Sequence, residues 1–258
     1  MTVPSPAAGE RLAGRRILVT GAASGIGLEV SRLFARQGAA VAMTDIQAER
    51  LHEAAAELGA HAKAADLRDR PAVAEVVAFA ADQLGGLDGV VNCAGVADSA
   101  PVDELPPETW DHVLAVNLTA PFLVCRAAVP ILRQAADATI VNISSGMGVL
   151  PDVPGTTAYA ASKGGLIAFS KALAAELAPR IRVNVIAPGV VRTPMTLAQG
   201  YLPSNPEEEA SAPALQRYAL RRASDPGEIA AAVLFLTSAE SSYVTGTVLA
   251  VDGGRTYH

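Results

Sequence analysis

From residue 16 onward, short β-branched runs alternate with helical spacing, and that alternation restricts the chain to very few folds. RILVT (16–20), AVAMTD (40–45), AHAKAADL (60–67), LDGVVNCAG (87–95), ATIVNISS (138–145), IRVNVIAPG (181–189) and TVLAVDG (247–253) read as seven strands. The stretches between them place apolar residues three and four apart, and several end in Gly or stop at Pro, as helices do. Strand, helix, strand in regular succession builds βαβ units and a parallel sheet. Half of the residues are apolar, ample for a large buried core. No Ser/Gly-rich linker interrupts the pattern, so residues 13–258 read as one domain preceded by a loose tail, 1–12.

The remaining composition excludes several classes of partner. Net charge is −6, the isoelectric point is near 5.3, and basic residues are scattered, so nucleic acid and anionic membrane are not expected partners. The start, MTVPSPAAGERLAGRR, lacks the apolar core of a signal peptide, and no later apolar run reads as a membrane span. A cytoplasmic protein is expected. Cys93 and Cys125 have no CxxC or histidine context, so they are expected to be reduced thiols, with no metal site. His52, His61, His112 and His258 share no ligand spacing and read as surface or terminal residues, and Trp110 as packing.

Two constellations carry chemistry. TGAASGIG, Thr20 to Gly27, follows the first strand and opens the first helix, where a glycine turn brings backbone N–H groups and a helix N-terminus against a pyrophosphate. Asp45 ends the second strand, where a carboxylate accepts bonds from ribose hydroxyls and repels a 2′-phosphate; the expected cofactor is NAD. Tyr159 and Lys163 lie at i and i+4 of a helical stretch, which puts a phenol beside an ammonium. A fixed positive charge favours phenolate and suits the pair to acid–base work. Residues 193–227, rich in Pro and polar side chains, are longer than a compact fold needs and read as a substrate lid; Glu207, Glu208 and Glu209 within them read as a solvated face.

Together TGxxxGIG, the NNAG-like Asn92 to Gly95, Asn117 in AVNLTAPF, Ser145 in NISS, Tyr159 with Lys163, Pro188 to Thr193 as PGxxxT and the closing VTGTVLAVDGG resemble the short-chain dehydrogenase/reductase family, from about residue 12 to the end. The resemblance implies a doubly wound Rossmann-type parallel sheet with helices on both faces, and a homotetramer. It assigns catalysis to Asn117, Ser145, Tyr159 and Lys163: Tyr159 exchanges a proton with substrate, Lys163 binds the nicotinamide ribose and lowers the tyrosine pKa, Ser145 holds the substrate oxygen, and Asn117 links Lys163 to solvent through a water. It assigns cofactor binding to Gly21, Ser24, Gly25, Ile26, Gly27, Asp45, Asp66, Leu67, Asn92, Ala94, Gly95, Pro188, Val191 and Thr193, together with Tyr159 and Lys163. Cys93 replaces the second Asn of NNAG, a change expected to matter little. The serine lies fourteen residues before Tyr159, one more than the family's usual spacing, which leaves Ser144 as an alternative to Ser145.

The expected activity is NAD-dependent interconversion of a secondary alcohol and a ketone. Val96, Met147, Val149, Leu150 and Val153 are expected near the substrate, and no lysine but Lys163 falls there, so a neutral, hydrophobic small molecule is anticipated, cyclic, aryl or steroid-like. The alternatives are a 3-oxoacyl thioester reductase and a non-catalytic NAD-binding sensor.

Overall fold

The computed structural model describes residues 10–203, 205, 208 and 212–256; Glu207, Glu209 and His258 lie outside the described residues. Seven parallel strands form one sheet in the order β3-β2-β1-β4-β5-β6-β7. They are β1 (Arg16–Thr20), β2 (Ala40–Thr44), β3 (His61–Ala62), β4 (Gly89–Asn92), β5 (Ala138–Ile143), β6 (Ile181–Pro188) and β7 (Val248–Val251). The third strand is far shorter than the run 60–67 suggested. It lies at the sheet edge, and beyond it Lys63 and Ala65 donate to the Met43 and Asp45 carbonyls from irregular backbone.

Alternation along each buried strand feeds two cores. Ile17, Val19, Val91 and Val141 face the side covered by α1 (Gly25–Arg36), α2 (Ala48–Leu58) and α9 (Pro226–Thr237), where Phe34 is fully buried. Leu18, Val90, Ile140 and Val183 face the side covered by α3 (Arg70–Leu84), α5 (Ala120–Leu132) and α7 (Thr157–Leu177). Truncating a buried Phe or Leu in such a layer costs about 2–5 kcal/mol. Leu12, assigned to the tail from sequence, is 1% exposed and packs in the first core, and its N–H donates to the Gln37 carbonyl; apolar burial draws the ordered chain back to that point.

The single helical stretch expected over 108–134 is α4 (Pro107–Leu114), a π-helical turn at Ala115–Thr119, and α5. By length and composition this 26-residue run could cross a membrane, yet in the fold Ala120, Leu123, Val124, Ala128 and Leu132 are buried in the second core. Three short helices were not anticipated: α4 as a separate piece, α6 (Gly146–Val149) and α8 (Pro194–Ala198). The 193–227 segment has its own small apolar cluster of Leu202, Leu215, Tyr218 and Ala223. Strand order reverses between β1 and β4, and a crevice opens at the C-terminal strand ends there, the usual ligand position in an open parallel sheet.

Candidate active site

The crevice at that reversal is a cleft of about 460 Å³, and its shape depends on glycine. Gly21 has φ of 64°, and a Cβ there would lie 2.7 Å from the Ala94 backbone; a Cβ on Gly27 would overlap the Gly21 carbonyl. Thr20 Oγ1 accepts from the Cys93 and Ala94 N–H groups (3.1 and 3.2 Å), tying the ends of β1 and β4 together. Ser24 caps α1 without a side-chain hydrogen bond, and the first turn holds no acid, so its N–H groups and the positive end of the helix dipole are available to an anion. A dinucleotide fits this cradle: backbone N–H for the pyrophosphate at one end, a carboxylate for the ribose at the other.

That carboxylate, Asp45, is 8% exposed and held from both sides, Oδ2 accepting from Ala23 N–H (3.1 Å) and Oδ1 from Gln47 N–H (3.0 Å). It therefore shapes the glycine turn as well as lining the cleft. Asp66 and Leu67 line the cleft further along, with Arg68. The Arg68 guanidinium is bonded to Asp66 (2.6 to 3.0 Å) and holds its carboxyl below the usual range, so this cation is already engaged. Ala94 and Gly95 form the wall from β4. Asn92 does not reach it: Nδ2 donates to Asn142 Oδ1 (2.8 Å) inside the sheet, and Asn142 donates on to Ser170 Oγ (2.8 Å). The cause is strand alternation, since Asn92 is still paired between β1 and β5 and the chain leaves the sheet only after it.

The long helix α7 sets Tyr159 and Lys163 one turn apart, with Lys163 Nζ 5.8 Å from the tyrosine ring centre. Lys163 is 4% exposed and donates to the Ile143 carbonyl (3.0 Å); burial pulls its pKa down to about 8. Tyr159 moves the other way from the expected direction. Burial raises its pKa, and the nearby Ser145 hydroxyl, which favours phenolate, opposes this only in part. The phenol is thus held protonated and ready to donate. Burial likewise pushes the Cys93 and Cys125 thiols up to about 12, and both cysteines are free.

Ser145 lines the cavity before Tyr159, whereas Ser144 is buried and donates to the Lys163 carbonyl (2.9 Å), so the two serines divide between site and scaffold. The π-helical turn directs Asn117 inward, where Oδ1 accepts from Val96 N–H (2.9 Å) and Nδ2 donates to the Val96 carbonyl (2.8 Å) and Ser162 Oγ (3.0 Å). Its amide is fully used in holding the segment after β4 against α7. A Cβ on Gly95 would lie 3.3 Å from Asn117 Oδ1 and 3.4 Å from Lys163 Nζ, so only a residue without a side chain fits there comfortably. Pro188 lines the cavity before Tyr159, and Thr193, which caps α8, lines the cleft; Val191 is buried behind them in a bridge to Ser224.

The second cavity, about 300 Å³, joins the cleft at Met195, which borders both. Of the five residues expected near the substrate, Met147 and Val153 line it, Val96 lines the cleft instead, and Val149, 46% exposed, and Leu150 line neither. Sequence reasoning missed Gln199, Tyr201, Arg217, Tyr218 and Arg255. Arg255 had one available signal: it follows the glycines that close β7, and strands in a parallel sheet all end on the ligand side. The others sit in the 193–227 segment, which carries no period or motif.

Comparison with known proteins agrees with this geometry. A sequence model of the family described as enoyl-(acyl carrier protein) reductase matches residues 21–256. The chain is 43% identical to the 3-oxoacyl-[acyl-carrier-protein] reductase of Thermotoga maritima, over 95% of this chain and 98% of that one. It is 40% identical to a cyclopentanol dehydrogenase of a Comamonas species, with the same coverage of each chain. A solved short-chain dehydrogenase/reductase from Brucella melitensis superposes with a TM-score of 0.87 at 32% identity, covering 95% of this chain and 98% of that one. With glycine cradle, Tyr–Lys pair on one helix and whole-chain similarity in accord, the protein is an oxidoreductase of the short-chain dehydrogenase/reductase family, whose members bind a nicotinamide dinucleotide.

Proposed function

We propose that the protein interconverts a secondary alcohol and a ketone with NAD as its cofactor. The observation that carries the reading is that Ser145 and Tyr159 line one largely apolar cavity, which borders the dinucleotide cleft at Met195. When bound, the nicotinamide ring supplies the hydride acceptor or donor. Ser145 orients the substrate oxygen, and Tyr159 gives that oxygen a proton during reduction or removes one during oxidation. Lys163, with further donors beyond the one on Ile143, binds ribose hydroxyls, and its positive charge then favours phenolate. Gly21, Ser24, Gly25, Ile26 and Gly27 hold the pyrophosphate; Asp45 reads the ribose; Asp66, Leu67, Ala94 and Gly95 hold the adenosine; Pro188, Val191 and Thr193 position the carboxamide.

NAD over NADP rests on Asp45 and on the engagement of Arg68 by Asp66, which leaves a 2′-phosphate facing a carboxylate. Met147, Val153, Met195 and Pro213 give the cavity walls suited to an apolar substrate body. The segment 193–227 supplies one wall and acts as the substrate lid; Gln199 Nε2, donating to the Ala97 carbonyl (2.8 Å), ties it to the loop after β4. A second reading, 3-oxoacyl thioester reduction with NADPH, is favoured by the similarity to the Thermotoga maritima enzyme. Steady-state rates with NAD and NADP, over cyclic, aryl and steroid alcohols and 3-hydroxyacyl thioesters, separate the two; binding without turnover across the panel identifies a sensor. Exposed Phe122, in edge contact with Phe169 of α7, supports helix-mediated assembly into a homotetramer, and a monomer by light scattering would contradict it.

A further inference from the structure

The cavity before Tyr159 has a charged side. Arg217 and Arg255 both line it, while Asp152, the carboxylate that pairs with both, is not among the lining residues. Arg255 is 5% exposed. Its Nη2 bonds Asp152 Oδ1, donates to the Leu150 carbonyl (3.1 Å) and lies 3.1 Å from Met147 Sδ, whereas Nη1 is buried without a hydrogen-bond partner among the described residues. A Cβ on Gly146 would lie 3.0 Å from that Nη1, which places the guanidinium against the residue next to Ser145.

Arg217 is held loosely. Its side chain is 50% exposed, and its Nη1 lies 3.5 Å from Asp152 Oδ2 and 3.4 Å from the Asp152 carbonyl. Two guanidinium charges thus share one carboxylate. The next carboxylate, Asp252, accepts from Gly254 N–H, Thr256 N–H and Thr256 Oγ1 and bonds neither guanidinium. Asp98 also lines the cavity, but it is exposed on the loop after β4. Both guanidinium groups are on the wall that Arg217 of the 193–227 segment and the C-terminal Arg255 form.

We infer that the substrate carries a carboxylate, contacted by Arg217 and favoured by the fixed charge of Arg255 behind it. This rests on the proposed Ser145–Tyr159 site, and it replaces the wholly neutral substrate anticipated from sequence with an apolar body bearing an anionic end. Guanidinium suits the task because it stays charged and presents a planar fork to a carboxylate.

The test uses the protein saturated with NADH and calorimetric titration with a matched pair of probes, 4-phenylbutanoate and 4-phenylbutanamide, which differ only in charge at one end. The carboxylate should bind about tenfold more tightly than the amide, and Arg217→Gln should bring the two within about twofold while leaving amide and NADH affinities unchanged. Because Arg217 is half exposed, that variant keeps the fold. Equal affinity of the two probes, absence of carboxylate binding, or a preference that survives Arg217→Gln would overturn the inference. Failure of NADH to bind in the preceding titration would instead bring down the underlying functional reading, and the inference with it.

Discussion

The two halves of the site are made of different materials. The dinucleotide cleft is a backbone structure: glycines without Cβ atoms, an uncapped helix N-terminus and strand ends, drawn mainly from short contiguous stretches after β1, β2, β3 and β4. The substrate cavity is a side-chain structure, assembled from stretches that follow β4, β5, β6 and β7, which meet because those strands end side by side. Substitutions in the first half should act through geometry and cofactor binding, and those in the second through selectivity. Tyr159 and Lys163 stand at the junction and should act on turnover itself.

The largest effect is expected at that junction. Tyr159→Phe keeps the ring and removes the proton, so turnover should fall about a thousandfold with NADH affinity within about twofold of the parent. A variant retaining most of its turnover would move acid–base work to another residue. Next in size is Gly21→Ala, which introduces a Cβ at a positive φ and within 2.7 Å of the Ala94 backbone; cofactor affinity should drop more than about tenfold and stability by about 1–3 kcal/mol. Calorimetry on the purified variant reads both. Unchanged NADH binding would mean that the turn does not form the pyrophosphate cradle.

Lys163→Met separates function from stability. The lysine titrates at about 8 in the folded protein against 10.5 when free, so the unfolded chain binds more protons between those values and folding pays for the buried charge at neutral pH. At about 1.4 kcal/mol per unit, this penalty is about 3 kcal/mol, constant below pH 8 and shrinking to nothing as pH rises to 10.5. The variant should therefore lose turnover yet be more stable than the parent at pH 7, with the gap closing in alkali. Denaturant unfolding at several pH values checks this, and equal stability at pH 7 would show that the charge is better solvated than its burial implies. A smaller change is expected for Asp45→Ala, which should lower the NAD-to-NADP preference about tenfold. An unchanged ratio would assign ribose selection to other residues. Least of all, Cys93→Ala should change turnover by less than about twofold, because the thiol is neutral and serves as filling.

Legibility in the sequence follows the same division. The seven strands, the glycine turn and Asp45 could be read because backbone sites require particular residue types at short, fixed spacing. The same reasoning misplaced Asn92, since a one-residue difference in where a strand leaves its sheet decides which way a side chain faces. It also gave Tyr159 the wrong direction of pKa change: Lys163 is one turn away in sequence, but its ammonium is turned to the Ile143 carbonyl, and burial dominates. Arg217 and Arg255 could not be paired with Asp152 before the fold was known, because no sequence period links residues so far apart. The choice between Ser144 and Ser145 was a matter of spacing in the sequence and became one of direction in the structure, with the Ser144 hydroxyl bonded to α7 and Ser145 lining the same cavity as Tyr159.

The most direct experiment is to follow the ultraviolet absorbance of reduced nicotinamide while the protein is supplied with NAD or NADP and apolar secondary alcohols, with and without a terminal carboxylate. Reduction of NAD in preference to NADP, abolished by Tyr159→Phe, is the predicted result. Turnover confined to NADPH and 3-oxoacyl thioesters, or a Tyr159→Phe protein as active as its parent, would contradict it.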